Sequence, residues 1–433
     1  MRFHKLALAL GLAITLPAQA ANLSQVFSDA LAYDAQYASA RATYEAAKEK
    51  LPQSRAGLLP NVAANAGARR NWLTSTLPGG DQNYTTKSFG FSASQPLYRA
   101  TNLIQVDQAE VQVAMAGMQF ALAEQELVLR VARAYFDVLQ AQDNLAFIDA
   151  QKAAISEQLA SAKRNFEVGT ATITDTHEAQ ARFDLATAQE IAEQNQLAVR
   201  VRALEKLIGK PVDGLSPLLE KPAISRSGDN LDDWANRAGE NNLQAAIARL
   251  SEKLAQQEID RNRADRLPTL DAVASYNYTK GQNFGTTQVD TRNTALGLEI
   301  NVPLYRGGLT SSRIREAVSN RERARQDAQN ASREASLNAR QAYLNVTSGL
   351  AQIRALEQAL VSTRAQLDST RLGLQVGVRT SLDVLNAQQQ VLSAKRDLAA
   401  ARYNTLISGL TLEAAAGSLN ADDLATLDQL LKP

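Results

Sequence analysis

Residues Leu127 to Gly169 read LVLRVARAYFDVLQAQDNLAFIDAQKAAISEQLASAKRNFEVG, and their spacing sets the fold class. Leu127, Val131, Ala134, Val138, Ala141, Leu145, Ile148, Lys152, Ile155, Leu159, Ala162 and Phe166 follow one another at alternating steps of four and three, with Lys152 alone polar. On a helix of 3.6 residues per turn such positions draw one stripe, the seam of a coiled coil. No proline interrupts the chain from Arg99 to Gly169. The pattern predicts a helix over 99–168, which at about 1.5 Å per residue is roughly 100 Å long. Gly169 ends it, and Thr and Asp residues just beyond open a second helix over 172–209, the punctuation of a helical hairpin.

The same hairpin occurs twice. With a period of 208 residues, Asn22-Leu23 recurs as Asn230-Leu231, Leu59-Pro60 as Leu267-Pro268, Val168-Gly169 as Val376-Gly377, and Asp175 as Asp383. Pro96-Leu97-Tyr98-Arg99 returns as Pro303-Leu304-Tyr305-Arg306, one residue short of that period. The second seam is looser: Val346, Ile353, Leu360, Leu367 and Leu374 stand at sevens, with Glu357, Arg364 and Arg371 on the same stripe. It predicts helices over 307–376 and 380–416. The chain therefore divides into a first repeat at 21–210, a linker at 211–229 rich in turn residues, and a second repeat at 230–433 that includes a C-terminal segment.

Ahead of each long helix lie two segments of period-two alternation, the pattern of strands with one apolar face. Val62, Ala64, Ala66 and Ala68 are answered by Phe89, Phe91 and Ala93. Leu270, Ala272, Ala274, Tyr276 and Tyr278 are answered by Leu296, Leu298, Ile300 and Val302. Strands are expected at 61–75, 84–97, 268–280 and 290–304, with turns at Thr76 to Tyr84 and Lys280 to Asp290. Each is long enough to cross a bilayer obliquely, but four strands cannot close a membrane barrel, so several chains must contribute. A small soluble sheet capping the helices is the other way to use them.

Composition narrows the function. The 46 basic residues are balanced by 45 acidic ones, against a nucleic-acid binder. There is no cysteine, which excludes disulfides, thiolate sites and a lipid-modified N-terminal cysteine. Two histidines are too few for a multi-histidine zinc centre. Arg2 and Lys5 precede an apolar run from Leu6 to Leu16 and then Ala18-Gln19-Ala20, which reads as a signal peptide over 1–20 cut after Ala20. No later stretch has the unbroken apolar length of a transmembrane helix, leaving an exported protein that is either soluble or a β-barrel.

Val376 to Leu410, VGVRTSLDVLNAQQQVLSAKRDLAAARYNTLISGL, Ala414 to Leu427, AAAGSLNADDLATL, and the first-half turn Phe166 to Asp184 carry a resemblance to the TolC family of outer-membrane channels that covers essentially the whole mature chain. The resemblance implies a mainly α homotrimer with a small β part. Its four-stranded sheets make one twelve-stranded barrel in outer-membrane lipid, on an α-helical barrel that extends into the periplasm. It also implies an exit duct of a tripartite system, met at its tip by a periplasmic adaptor and coupled to an inner-membrane ABC or RND-type transporter, for type I protein secretion, multidrug efflux or both. No cofactor and no catalytic residue are implied. Carried over by position, Asp383 and Asn386 line the periplasmic entrance. Arg379, Thr174 and Asp175 form a latch, with Leu374 where the family has a tyrosine. Gly169, Thr170, Gly377 and Val378 at the hairpin tips meet the adaptor.

Two other classes compete. An enzyme could use His177 near Asp175 and Glu178, but no nucleophile accompanies them and the duplicate position is Leu385. A periplasmic coiled-coil adaptor or scaffold without a pore would use the hairpins alone.

Overall fold

The computed structural model describes residues 21–74, 76, 80–170, 172–224, 230–284 and 287–432, with 282–284 and 288 given as backbone. The expected signal peptide lies outside the described residues. The first repeat runs α1 (Leu23–Tyr33), α2 (Ala35–Lys48), α3 (Lys50–Ala56), β1 (Asn61–Leu73), β2 (Gln82–Tyr98), α4 (Ala100–Glu167) and α5 (Ile173–Ile208). The second runs α6 (Leu231–Asn241), α7 (Leu243–Ala264), β3 (Thr269–Phe284), β4 (Thr287–Asn301), α8 (Leu309–Gln375), α9 (Ser381–Ala416) and α10 (Ala421–Asp428). The fold is mainly helical with duplicated strand hairpins and long helical hairpins, as the two periodicities predict.

One unit comprises residues 21–38, 123–238 and 336–432. Its core joins Leu23, Val26 and Phe27 of α1 to the seam residues Leu127, Val131 and Val138 of α4, to Leu204 of α5, and to Tyr403 and Leu406 of α9. The stripe read from the sequence is buried or half-buried from Leu127 to Leu159, and α4 also buries Val128, Tyr135 and Phe136 beside it. Lys152, its polar member, pairs with Glu190 of α5 and lies over the Phe183 ring, so the charge stays satisfied while its stem packs.

The expected linker is not slack in its described part. Ser216 N–H donates to Ala21 O at 3.1 Å, Leu219 N–H to Leu430 O at 2.9 Å, and Lys432 N–H to Pro217 O at 2.8 Å. The buried Tyr135 hydroxyl donates to Ser216 O at 2.8 Å. Prolines and glycines break helix and ladder here, but backbone groups they free are satisfied by Ala21 ahead of α1 and by Leu430 and Lys432 beyond α10. Asp428 closes the cluster by accepting from Leu23 N–H at 2.8 Å and Ser24 N–H at 3.2 Å, at the start of α1.

The other unit comprises residues 39–122 and 239–335 and contains the sheet, antiparallel throughout in the order β1-β2-β3-β4. Register aligns Ala64 with Phe91 and Tyr276, and Ala66 with Phe89 and Tyr278, on one face. The opposite face carries Asn65, Ser92, Ser275, Asn277 and Asn293. The segment from Lys280 to Asp290, expected as a turn, is mostly ladder: Gln282 pairs with Val289 beyond a register shift after Thr279. Gly281, at φ 78°, supplies the left-handed residue that lets the strand resume. β4 stops at Asn301 rather than 304, because Pro303 has no N–H to give the ladder. Where β2 passes into α4, Arg99 of the repeated tetrapeptide grips Asp271 of β3 with both prongs, Nε to Oδ1 at 2.9 Å and Nη2 to Oδ2 at 2.6 Å.

Candidate functional site

The two hairpin tips are built alike from like sequence. α4 is followed by Gly169 at φ 77° and α8 by Gly377 at φ 78°. A side chain there would meet the following carbonyl, so the turn selects glycine. Thr170 N–H donates back to Asn165 O at 2.8 Å, and Val378 N–H to Gly373 O at 2.9 Å. Each following helix opens with the same reciprocal cap. Thr172 N–H and Oγ1 donate to Asp175 Oδ2 at 2.8 and 2.9 Å, while Asp175 N–H donates to Thr172 Oγ1 at 3.3 Å. Thr380 and Asp383 repeat this at 2.9, 2.9 and 3.2 Å. The pattern Thr-x-x-Asp is legible in both repeats as a capping box.

The caps set the electrostatics. The Thr172 backbone N–H holds the Asp175 carboxyl below the usual carboxylate range, with help from the Thr172 hydroxyl. The Thr380 backbone N–H and hydroxyl do the same for Asp383, and Arg379 adds a smaller pull. Both carboxylates are ionised and reachable by water. Asn386 is exposed one turn beyond Asp383, and Thr174 is exposed on the first turn of α5. Arg379 packs its stem over Gly373 and donates its backbone N–H to Gly373 O at 3.2 Å. Among the described residues, no hydrogen bond or ion pair joins Arg379 to Thr174 or Asp175 within one chain. The rim is apolar: Val378 is 75% exposed, Val168 73% and Val376 67%, with Ile173 and Leu374 also uncovered.

Behind the tips the repeats differ. Leu385 of α9 is buried with Ile155 of α4 and Ala186 of α5, whereas His177, its counterpart in the first repeat, is exposed. The neighbouring cleft, of about 150 Å³, is lined by Gln151, Arg182, Gln189, Gln388 and Gln389 among others. Their amides and guanidinium are hydrogen-bonding groups, and Arg182 is paired with Glu178 at 2.8 Å. Sequence reasoning missed a contact deeper in the same unit, where the hydroxyl of the buried Tyr403 donates to Oδ2 of the half-buried Asp143 at 2.7 Å. Nothing local marks two residues so far apart as partners.

The sheet supplies the second functional surface. Its apolar face is uncovered, with Leu296 83% and Leu298 68% exposed. Both edge strands, β1 and β4, lack a second strand partner among the described residues. No helix among them is long and apolar enough to cross a membrane.

Two stretches, residues 26–210 and 234–418, match the outer membrane efflux protein family, the second offset from the first by the chain's own period. The chain is 35% identical over 417 residues to outer membrane protein TolC of Vibrio cholerae, covering 95% of this chain and 94% of that one. It is 33% identical over 404 residues to the alkaline protease secretion protein AprF of Pseudomonas aeruginosa, covering 91% and 84%. Among solved structures, the Campylobacter jejuni CmeC outer membrane channel superposes with a TM-score of 0.79 over 95% of this chain and 90% of that one, at 16% identity, a likeness of fold. With both repeats matched and full-length relatives above 30% identity, the chain belongs to the outer membrane efflux protein family.

Proposed function

We propose that this chain, by family an outer-membrane efflux and secretion channel and not an enzyme, works as a homotrimer in which three four-stranded sheets close one twelve-stranded barrel. The observation that carries the reading is the sheet itself: two long unpaired edges and one uncovered apolar face. A bilayer tolerates neither open edges nor unsatisfied backbone, so β1 of one copy must pair with β4 of the next. The polar face, with Asn65, Asn277 and Asn293 in one rung, then lines the lumen. The helices form the periplasmic tunnel.

The tips engage a periplasmic adaptor coupled to an inner-membrane ABC or RND-type transporter. Their exposed valines, on both repeats, are apolar surface that a partner would cover. Asp383 from three copies makes a carboxylate ring at the entrance, with Asn386 one turn away. Arg379 of the second hairpin and Thr174 and Asp175 of the first form the latch between the hairpins that holds the closed state. An adaptor without a pore would leave the sheet's apolar face without a use. The kinship to a protease secretion protein supports polypeptide export as one cargo class. Fractionation tests the reading: heat-modifiable oligomers in the outer-membrane fraction are expected, and release from the periplasmic fraction by salt would overturn it.

A further inference from the structure

On the apolar face of the sheet, four basic side chains form a row that crosses every strand: Arg70 on β1, Lys87 on β2, Lys280 on β3 and Arg292 on β4, all exposed. Lys87 is the direct cross-strand partner of Lys280. Arg292 stands opposite Tyr278, one rung from Lys280, and Arg70 stands opposite Thr85, one rung from Lys87. Residues two apart on a strand share a face, so the row continues the side that carries Ala66, Phe89 and Tyr278.

Like charges directly opposite one another are unfavourable. Among the described residues none of the four is ion-paired. Arg70 instead lies over the Trp72 ring at 5.9 Å, and Arg292 over the Tyr278 ring at 5.7 Å. The acidic side chain beside them, Asp290, accepts from the Tyr278 hydroxyl and from Gly281 N–H, each at 3.2 Å.

The position of the row is informative. From Asn301 to Arg292 β4 covers about 31 Å, or about 23 Å when tilted by about 40°, close to the height of the apolar band of an outer-membrane barrel. Tyr98 and Tyr305 are exposed near the end of the sheet that feeds α4 and α8. Trp72, Phe89 and Tyr278 mark the end nearer the strand turns, where aromatic rings sit at headgroup level. The cations therefore stand at the upper edge of that band, among headgroups.

We propose that Arg70, Lys87, Lys280 and Arg292 bind the phosphate groups of a phosphorylated glycolipid in the outer leaflet. The inference rests on the proposed barrel, with this face turned to lipid. Arginine forks engage phosphate oxygens in pairs, and the two lysines supply point charges that a bridging phosphate converts from repulsion to attraction. The apolar band below takes the acyl chains, which a free anion or a soluble partner would leave uncovered.

The test compares wild type with Arg70→Gln/Lys87→Gln/Lys280→Gln/Arg292→Gln and with the charge-keeping Arg70→Lys/Lys87→Arg/Lys280→Arg/Arg292→Lys. Each is purified in detergent, loaded with a diphosphorylated glucosamine glycolipid or its dephosphorylated form, and repurified, and retained lipid is counted by mass spectrometry. Wild type and the charge-keeping variant should retain at least about tenfold more phosphorylated lipid than the glutamine variant. The dephosphorylated form should be retained equally weakly by all three, and inorganic phosphate should not displace the glycolipid. Equal retention by an assembled, conducting glutamine variant would overturn the row's role and leave the barrel standing. Displacement by inorganic phosphate would overturn the lipid as occupant, whereas wild type that neither assembles nor conducts would overturn the barrel. Should the fourfold glutamine variant not assemble, Lys87→Gln alone must still lose part of the retention, and no loss would count against the proposal.

Discussion

Tyr403 and Asp143 show how much one contact carries. Burial pushes the Asp143 carboxyl above the usual carboxylate range, and the hydrogen bond from Tyr403 pulls it part of the way back. A carboxyl with a raised folded-state pKa contributes its stability below the unfolded value and loses it as pH rises through the folded value. Tyr403→Phe removes the partner, raises Asp143 further, and should cost about 1–3 kcal/mol in denaturant unfolding near neutral pH. Because the Asp143 carboxyl is raised and rises further without Tyr403, the loss should shrink as pH falls through the carboxylate range; a loss independent of pH would contradict this account. Asp383 has the opposite sign. Its carboxyl is held low by Thr380, so cation preference of the pore should persist through the ordinary carboxylate range as pH falls and fade only below it. Asp383→Ala should reduce cation preference and block by multivalent cations, measured as reversal potential and blocking concentration. Thr380→Ala, which weakens the cap and keeps the carboxylate, should leave both nearly unchanged. Asp383 is readable in the sequence because the period places it on Asp175. The Tyr403 to Asp143 contact is not, because it depends on how two distant helices pack.

At the scale of elements, the long helices and the strand hairpins are legible because their periodicities are long and uninterrupted. The seam from Leu127 to Leu159 is buried or half-buried along its length, while Phe166 at the tip is exposed. The short helices α1 to α3 and α6 to α7 are not separable by sequence pattern, since their few turns carry too little of it, and α3 takes Pro52 in its first turn, where a missing N–H costs nothing. The ties of the 211–224 segment to Ala21 and to Leu431 are also invisible locally, because bridges such as Ala21 to Leu215 form between remote residues. The proposed latch belongs to this scale. Arg379→Ser combined with Asp175→Ala should raise single-channel conductance with oligomer yield unchanged. Because Asp175 also caps α5, Thr172→Ala serves as control: it loosens the cap and should not raise conductance. Conductance equal to wild type in the double variant would shift closure onto other contacts, Leu374 first.

For the whole molecule, the proposed trimer makes one chain an incomplete channel. Its duplication supplies two strand hairpins and two helical hairpins, yet among the described residues the sheet ends in two unpaired edges, β1 and β4. Only copies joined edge to edge remove those edges without adding chain. The number of strands and their apolar face are both legible in the amino-acid sequence, since each follows from period-two alternation. The row of cations on that face is not, because it exists only where register aligns four strands that are far apart along the chain. The most direct measurement is the native mass of the detergent-solubilised protein together with its conductance in planar bilayers. Three chains per particle and discrete single-channel steps are predicted; a monomer, or a particle with no conductance, would contradict the account.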